Sequence, residues 1–152
     1  MKAIIFSDSH RSFSPMMKAM EIEKDIDLII HAGDVLGDVE DLKIMYPKIP
    51  IAYVRGNNDY WDYTAADERV FEFGGVRIFL THGHLYGVKG SLAKLYKKGL
   101  DTKAQICIFG HTHAAHCEKI GEVTLFNPGS AWRHCGILET DGEKFSLEIR
   151  DI

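Results

Sequence analysis

Five short apolar runs in this chain end in polar blocks of one kind, and that repetition narrows the folds open to it. "KAIIF" (2–6), "DLIIHA" (27–32), "IAYVR" (51–55), "VRIFLTH" (76–82) and "AQICIF" (104–109) are rich in β-branched or aromatic residues and have strand lengths. Asp, Asn or His stands at or just past the end of each, in "SDSH", "AGD", "GNND", "THGH" and "GHTH". In an α/β sheet the carboxyl ends of strands face one crevice, so polar residues far apart in sequence meet there.

The segments between the runs decide the class. "PMMKAMEIEKD" sets Met16, Met17, Met20 and Ile22 on one predicted helical face, with Pro15 in the first turn. "DVEDLKIMYPK" spaces Val39, Leu42 and Met45 by three and stops at Pro47. "SLAKLYKKGL" (91–100) predicts a helix capped by Ser91 and stopped by Gly99. Strand and helix thus alternate, which is the α/β pattern with mostly parallel strands. "RVFEF" and "VRIFLTH" flank Gly74-Gly75 as a hairpin, and "HCEKIGEVTLFN", "CGILET" and "KFSLEIR" add a β-rich tail with a turn at Asp141-Gly142. Two sheets packed face to face, flanked by helices, are expected.

At 152 residues, 45% hydrophobic and 26% charged, the chain reads as one globular domain, 1–152. A formal charge of −4 gives no broad basic field, which argues against gripping long nucleic acid but leaves small anionic substrates open. Cys107, Cys117 and Cys135 are odd in number and lack CxxC spacing, so neither a disulfide framework nor a thiolate zinc site is expected. A reducing cytoplasm suits them. No run has the apolar length of a secretory leader or a membrane span.

The polar blocks supply seven candidate ligands: Asp8, His10, Asp34, Asn57, His82, His111 and His113. Carboxylate, amide oxygen and imidazole form a mixed O/N set suited to Mn, Fe, Ni or Zn, and the lack of thiolate disfavours a structural zinc. Seven are too many for one ion that keeps an open position, and they suffice for two if one carboxylate is shared. Gly33, Gly56, Gly83 and Gly110 adjoin them where the chain turns after leaving the sheet. Singly, "DSH", "GD" and "GNND" are ordinary turn chemistry. Their joint, ordered occurrence is what points to a metal site.

The blocks "FSDSH", "HAGD", "RGNND", "THGH", "GHTH" and "NPGS", running from Phe6 to Ser130, resemble those of the calcineurin-like metallophosphoesterases, in particular the small YfcE-like phosphodiesterase group. The resemblance implies a four-layer α-β-β-α sandwich of two mixed sheets flanked by helices. It implies that Asp8, His10, Asp34 and His113 hold one divalent metal and Asp34, Asn57, His82 and His111 the other, with Asp34 bridging; Mn is the first expectation, ahead of Ni, Fe or Zn. It further implies a phosphodiesterase acting on small organic or nucleotide diesters by attack of a metal-bound hydroxide, with Asn57 and His82 also touching phosphate. A phosphomonoesterase is the alternative within the same chemistry. A protein-binding scaffold is the alternative outside it, because the retromer scaffold subunit shares this fold.

Position 58 departs from many larger relatives, which have histidine after the "GN" asparagine where this chain has Asn58. An amide does not titrate near pH 7, so easily departing leaving groups are favoured, with Asn58 reduced to a phosphate contact. His84 is a substitute proton donor by position, or else simply a solvated histidine. Asp59 either fixes the tautomer of a ligand histidine or caps a turn. Arg133 either meets substrate phosphate or forms a surface salt bridge. His31, inside an apolar run, reads as a satisfied core histidine; His116 and His134 fall outside the matched blocks. "YWDY" (60–63) either stacks a base or packs, and a homo-oligomer is compatible with the sequence.

Overall fold

The computed structural model describes residues 1–152 as ten strands and three helices. The strands are β1 (Lys2–Phe6), β2 (Leu28–His31), β3 (Ile51–Tyr53), β4 (Glu68–Phe73), β5 (Val76–Thr81), β6 (Ile106–Ile108), β7 (His116–Ile120), β8 (Val123–Asn127), β9 (His134–Thr140) and β10 (Phe145–Asp151). The helices are α1 (Phe13–Ile22), α2 (Leu36–Met45) and α3 (Ala93–Thr102). One sheet has the order β10-β9-β1-β2-β3 and the other β4-β5-β6-β8-β7. Each contains a parallel trio, β1-β2-β3 and β5-β6-β8, with antiparallel strands on one side of the first and on both sides of the second, so both are mixed.

The alternation of side chains along each central strand builds the layers. In β1, Ala3 and Ile5 join Ile30, Ile78, Leu80, Ile106, Ile108 and Phe126 in the core between the sheets. Ile4 and Phe6 point the other way, onto Met16 and Met20 of α1 and Leu42 of α2. In the second sheet Phe79, Cys107 and Leu125 turn outward onto Leu95 of α3. The result is the four-layer α-β-β-α sandwich expected from the sequence. No helix is long and apolar enough to cross a membrane.

Several helix details differ from expectation: the cap position of α3 is Leu92 and not Ser91, and Met45 of α2 is exposed. Ile22 ends α1 exposed at 61%, and the next residue, Glu23, is buried instead, because Lys2 and Arg150 neutralise it there. Gly99 does not stop α3. It lies inside the helix, where a methyl group would press on Cys107 Sγ, so its smallness lets α3 approach β6. The helix ends at Lys103, whose φ of 57° places it in the left-handed region, and its N–H closes onto Gly99 and Leu100.

Candidate metal centre

All seven candidate ligands leave the carboxyl ends of the parallel strands: Asp8 and His10 after β1, Asp34 after β2, Asn57 after β3, His82 after β5, and His111 and His113 after β6. Backbone bonds sew these loops together. Asp8 N–H donates to Gly33 O at 3.0 Å, Ser9 N–H to Asp34 O at 2.9 Å, and Gly110 N–H to His82 O at 2.9 Å. The crossover from one sheet to the other is direct, since His111 N–H donates to Asp8 Oδ2 at 3.0 Å.

Asp8 sits at the centre, fully buried. Its Oδ2 accepts from Ser7 Oγ at 2.7 Å as well as from His111 N–H, while Oδ1 is buried without any hydrogen-bond partner. Nε2 atoms of His113, His82 and His10 face that oxygen at 3.4, 3.7 and 4.0 Å. Two compact donor clusters result, Asp8–His10–His113 and Asp8–Asp34–His82. The two clusters have Asp8 in common. Both oxygens of Asp34 accept from Asn58, through its backbone N–H at 3.0 Å and its amide Nδ2 at 2.7 Å.

His82 is fully buried, and its Nδ1 lies 2.7 Å from Ala32 O, a contact that requires Nδ1–H to donate. Nε2 is thereby turned toward Asn57 Oδ1 at 3.1 Å and Asp34 Oδ2 at 3.4 Å. Burial disfavours charge on His82, but the carboxylates of Asp34 and Asp8 outweigh it and raise its pKa. Burial likewise opposes charge on Asp34, and the hydrogen bond and charge of His82 overcome it, holding the carboxyl far below the usual range. His111 belongs to neither compact cluster, although its ring centroid is 5.2 Å from that of His82; burial and the neighbouring His82 lower its pKa.

Backbone strain is concentrated at the same residues. Asp8, His10, Asp34, His111 and His113 have φ of 52°, 44°, 47°, 69° and 60°. Left-handed backbone at non-glycine residues costs on the order of 1–3 kcal/mol each and gathers at functional sites. At Gly56 the need is steric, because a side chain there would overlap Asp34 Oδ1.

The supporting residues include several that the strand-end pattern does not reveal. Asp59, expected either beside a histidine or as a turn cap, is a turn cap that accepts Gly56 N–H at 2.8 Å, and it reaches further to accept Leu36 N–H at 2.9 Å and Asp34 N–H at 3.2 Å. It thus clamps the β2 and β3 loops to each other. Ser9 Oγ donates to Asp38 Oδ2 at 2.6 Å and lies 3.1 Å from His31 Nε2, while Gly33 N–H donates to His31 Nδ1 at 3.2 Å. His31 is a satisfied core histidine, and burial pushes its pKa down to about 4. Asn127 donates to Gly110 O at 3.1 Å and Ser130 Oγ to Asp8 O at 2.9 Å, so "NPGS" braces the two loops that carry Asp8 and "GHTH". Only the resemblance gave a signal for that block.

Other candidates lie at the margin. His84 has its ring 5.5 Å from that of His82 and 6.1 Å from that of His111, with Nδ1 buried and unpartnered; burial and His82 lower its pKa. Arg133 is exposed, and its guanidinium lies over the Trp132 ring at 5.3 Å. His116 and His134 pair with Glu118 and Asp151.

A layered sandwich that gathers Asp, Asn and His donors at the ends of its parallel strands fits a metal-dependent hydrolase of phosphate esters, the class to which its family match assigns it. The chain belongs to the calcineurin-like phosphoesterase superfamily, whose domain model matches residues 1–146. The probable metallophosphoesterase YsnB of Bacillus subtilis is 35% identical over 133 residues, covering 86% of this chain and 75% of its own. Phosphodiesterase YfcE of Escherichia coli is 29% identical over 153 residues, covering 86% and 79%. The crystal structure of wild-type Vps29 of Entamoeba histolytica, complexed with zinc, superposes with a TM-score of 0.81 at 19% identity, covering 100% of this chain and 98% of that one; this last likeness is one of fold.

Proposed function

We propose that the chain is a single-domain, dinuclear phosphodiesterase of the cytoplasm that hydrolyses small organic or nucleotide phosphodiesters. The observation that carries this reading is Asp8 Oδ1, buried, without a hydrogen-bond partner and faced by three imidazole nitrogens within 4.0 Å. A buried acceptor left unpaired costs about 1–3 kcal/mol, and a cation among these atoms would recover it. Asp8, His10, Asp34 and His113 would hold one divalent ion and Asp34, Asn57, His82 and His111 the other, with Asp34 common to both sets. Imidazole and oxygen donors without thiolate suit Mn, Fe, Ni or Zn, and the family resemblance puts Mn first among them. When bound, such a pair supplies positive charge for phosphoryl oxygens and acidifies a water for in-line attack.

The chain's own residues do the positioning. Ala32 O fixes the His82 tautomer, Asn58 fixes the rotation of Asp34, and Asp59 fixes the two loops between which they sit. With Asn58 on Asp34, no titratable group follows Asn57, so leaving groups that depart unprotonated, such as aryl oxides, are cleaved best. Three free thiols, two of them buried, agree with a reducing compartment.

Metal-stripped protein supplied separately with Mn, Ni, Fe, Zn or Mg tests the reading against bis(p-nitrophenyl) phosphate and p-nitrophenyl phosphate. Activity that requires a cation, is highest with Mn and favours the diester is expected. Preference for the monoester would replace the diesterase with a monoesterase, and absence of bound cation by equilibrium dialysis would overturn the dinuclear site.

A further inference from the structure

The charges of the chain are unevenly placed. Residues 89–103 carry five lysines (Lys89, Lys94, Lys97, Lys98, Lys103) against one aspartate, in a protein with 18 basic and 22 acidic residues overall. Lys94, Lys97, Lys98 and Asp101 lie on one face of α3 and, with Leu85 and Tyr86, line a groove of about 270 Å³. Leu85 and Tyr86 belong to the short turn His84–Tyr86 that follows His82, so one wall of the groove is continuous with the metal-centre loop.

The groove's level in the fold is fixed by Glu68. Lys98 Nζ lies 3.1 Å from Glu68 Oε1, and Tyr86 Oη donates to the other oxygen of the same carboxylate. Glu68 is the register partner of Thr81, the residue before His82. The basic face of α3 therefore meets the second sheet at the rim of the candidate centre. Glu68 neutralises Lys98, whereas Lys94 and Lys97 are exposed and make no ion pair. Lys89 is set beside the same loop because Val88 packs against Gly83, between His82 and His84.

We propose that the groove between the His84–Tyr86 turn and α3 receives a second phosphate group of the substrate, so that preferred diesters carry a phosphate beyond the one that is cleaved. Lys94 and Lys97 are the specificity-determining residues. With Lys98 on Glu68, the unpaired Lys94 and Lys97 outnumber Asp101 in the groove and give this face of an acidic protein an excess of positive charge, and lysine is an established point-charge partner of phosphate. This proposal rests on the hydrolase reading above.

Two matched pairs test it with Mn-loaded protein: a p-nitrophenyl alkyl phosphodiester with and without a terminal phosphate on the alkyl chain, and thymidylyl-thymidine with and without a 5′-phosphate. The phosphorylated member should show kcat/KM about tenfold higher at low salt, and Lys94→Gln/Lys97→Gln should bring that ratio to about one. Lys94→Glu/Lys97→Glu should push it below one. An advantage in both pairs identifies the phosphate alone as the recognised group, and an advantage in one pair restricts the source to that scaffold. Equal kcat/KM within both pairs in the wild type, or a ratio untouched by the substitutions, overturns the proposal. If no diester is cleaved with any cation, the hydrolase reading fails. Equilibrium dialysis of metal-free protein with inorganic pyrophosphate then decides the groove: binding lost in the double variant supports it, and binding absent or unchanged overturns it.

Discussion

Asn58 holds Asp34 by two donors, its backbone N–H on Oδ1 at 3.0 Å and its amide on Oδ2 at 2.7 Å. The residue that follows Asn57 thus acts on the neighbouring loop's carboxylate. Asn58→Ala removes the second bond and lets the carboxylate rotate. Mn affinity, measured by isothermal titration, is expected to fall about 10- to 100-fold, the usual effect of removing a group that orients a ligand. An unchanged Kd would show that His82 alone fixes Asp34.

Asp8→Asn separates stability from metal binding. The buried Oδ1 makes no hydrogen bond, and an amide placed there would donate to the facing imidazoles while the other oxygen keeps Ser7 and His111. The metal-free Tm is expected to hold or rise, whereas the rise in Tm on adding Mn is expected to vanish together with activity. A large drop in the metal-free Tm would mean that this carboxylate is held for the fold.

Asp59 carries three backbone donors that have no solvent to fall back on, being fully buried. Asp59→Ala is expected to cost about 3 kcal/mol or more in urea denaturation, and Asp59→Asn, which keeps one acceptor oxygen, about half as much. Equal losses for the two variants would argue for charge over hydrogen bonding.

Glu23 is expected to make one contribution to loss of stability in acid. Burial raises its pKa, but Lys2, at 2.7 Å from the carboxylate, and Arg150 outweigh burial and bring it below the ordinary 4.5. A carboxyl with a depressed pKa in the folded state adds stability that is complete above the unfolded value. That stability is lost as pH falls through the folded value. Urea midpoints at pH 7, 4 and 3 should therefore decline more steeply in wild type than in Glu23→Gln, which should be less stable at pH 7. Parallel declines would place the acid sensitivity elsewhere.

The layers were legible in the sequence because β-branched runs of two-residue period, such as Ala3–Ile4–Ile5–Phe6, bury both faces, as the two cores on either side of β1 show. The loops that meet were legible because each carries Asp, Asn or His at a strand end. Less visible were the groups that serve through backbone contacts. Asp59 looks like a turn acid and Asp38 like the first residue of a helix, and nothing local tells that Asp59 reaches Leu36 across 23 positions or that Asp38 reaches Ser9 across 29. Gly99 misled for a related reason: a glycine that permits helix–strand contact and one that ends a helix have the same signature until the facing residue, here Cys107, is known.

Asp8, His10, Asp34 and Asn57 hang from the first sheet and His82, His111 and His113 from the second. Any cation seated among them is consequently a rivet through the sandwich, adding to the apolar core and to hydrogen bonds such as His111 N–H to Asp8 and His82 to Ala32 O that already join the two halves. The cohesion of the halves then depends on free cation concentration, rising by RT ln(1 + [M]/Kd) for each ion bound to the folded state alone.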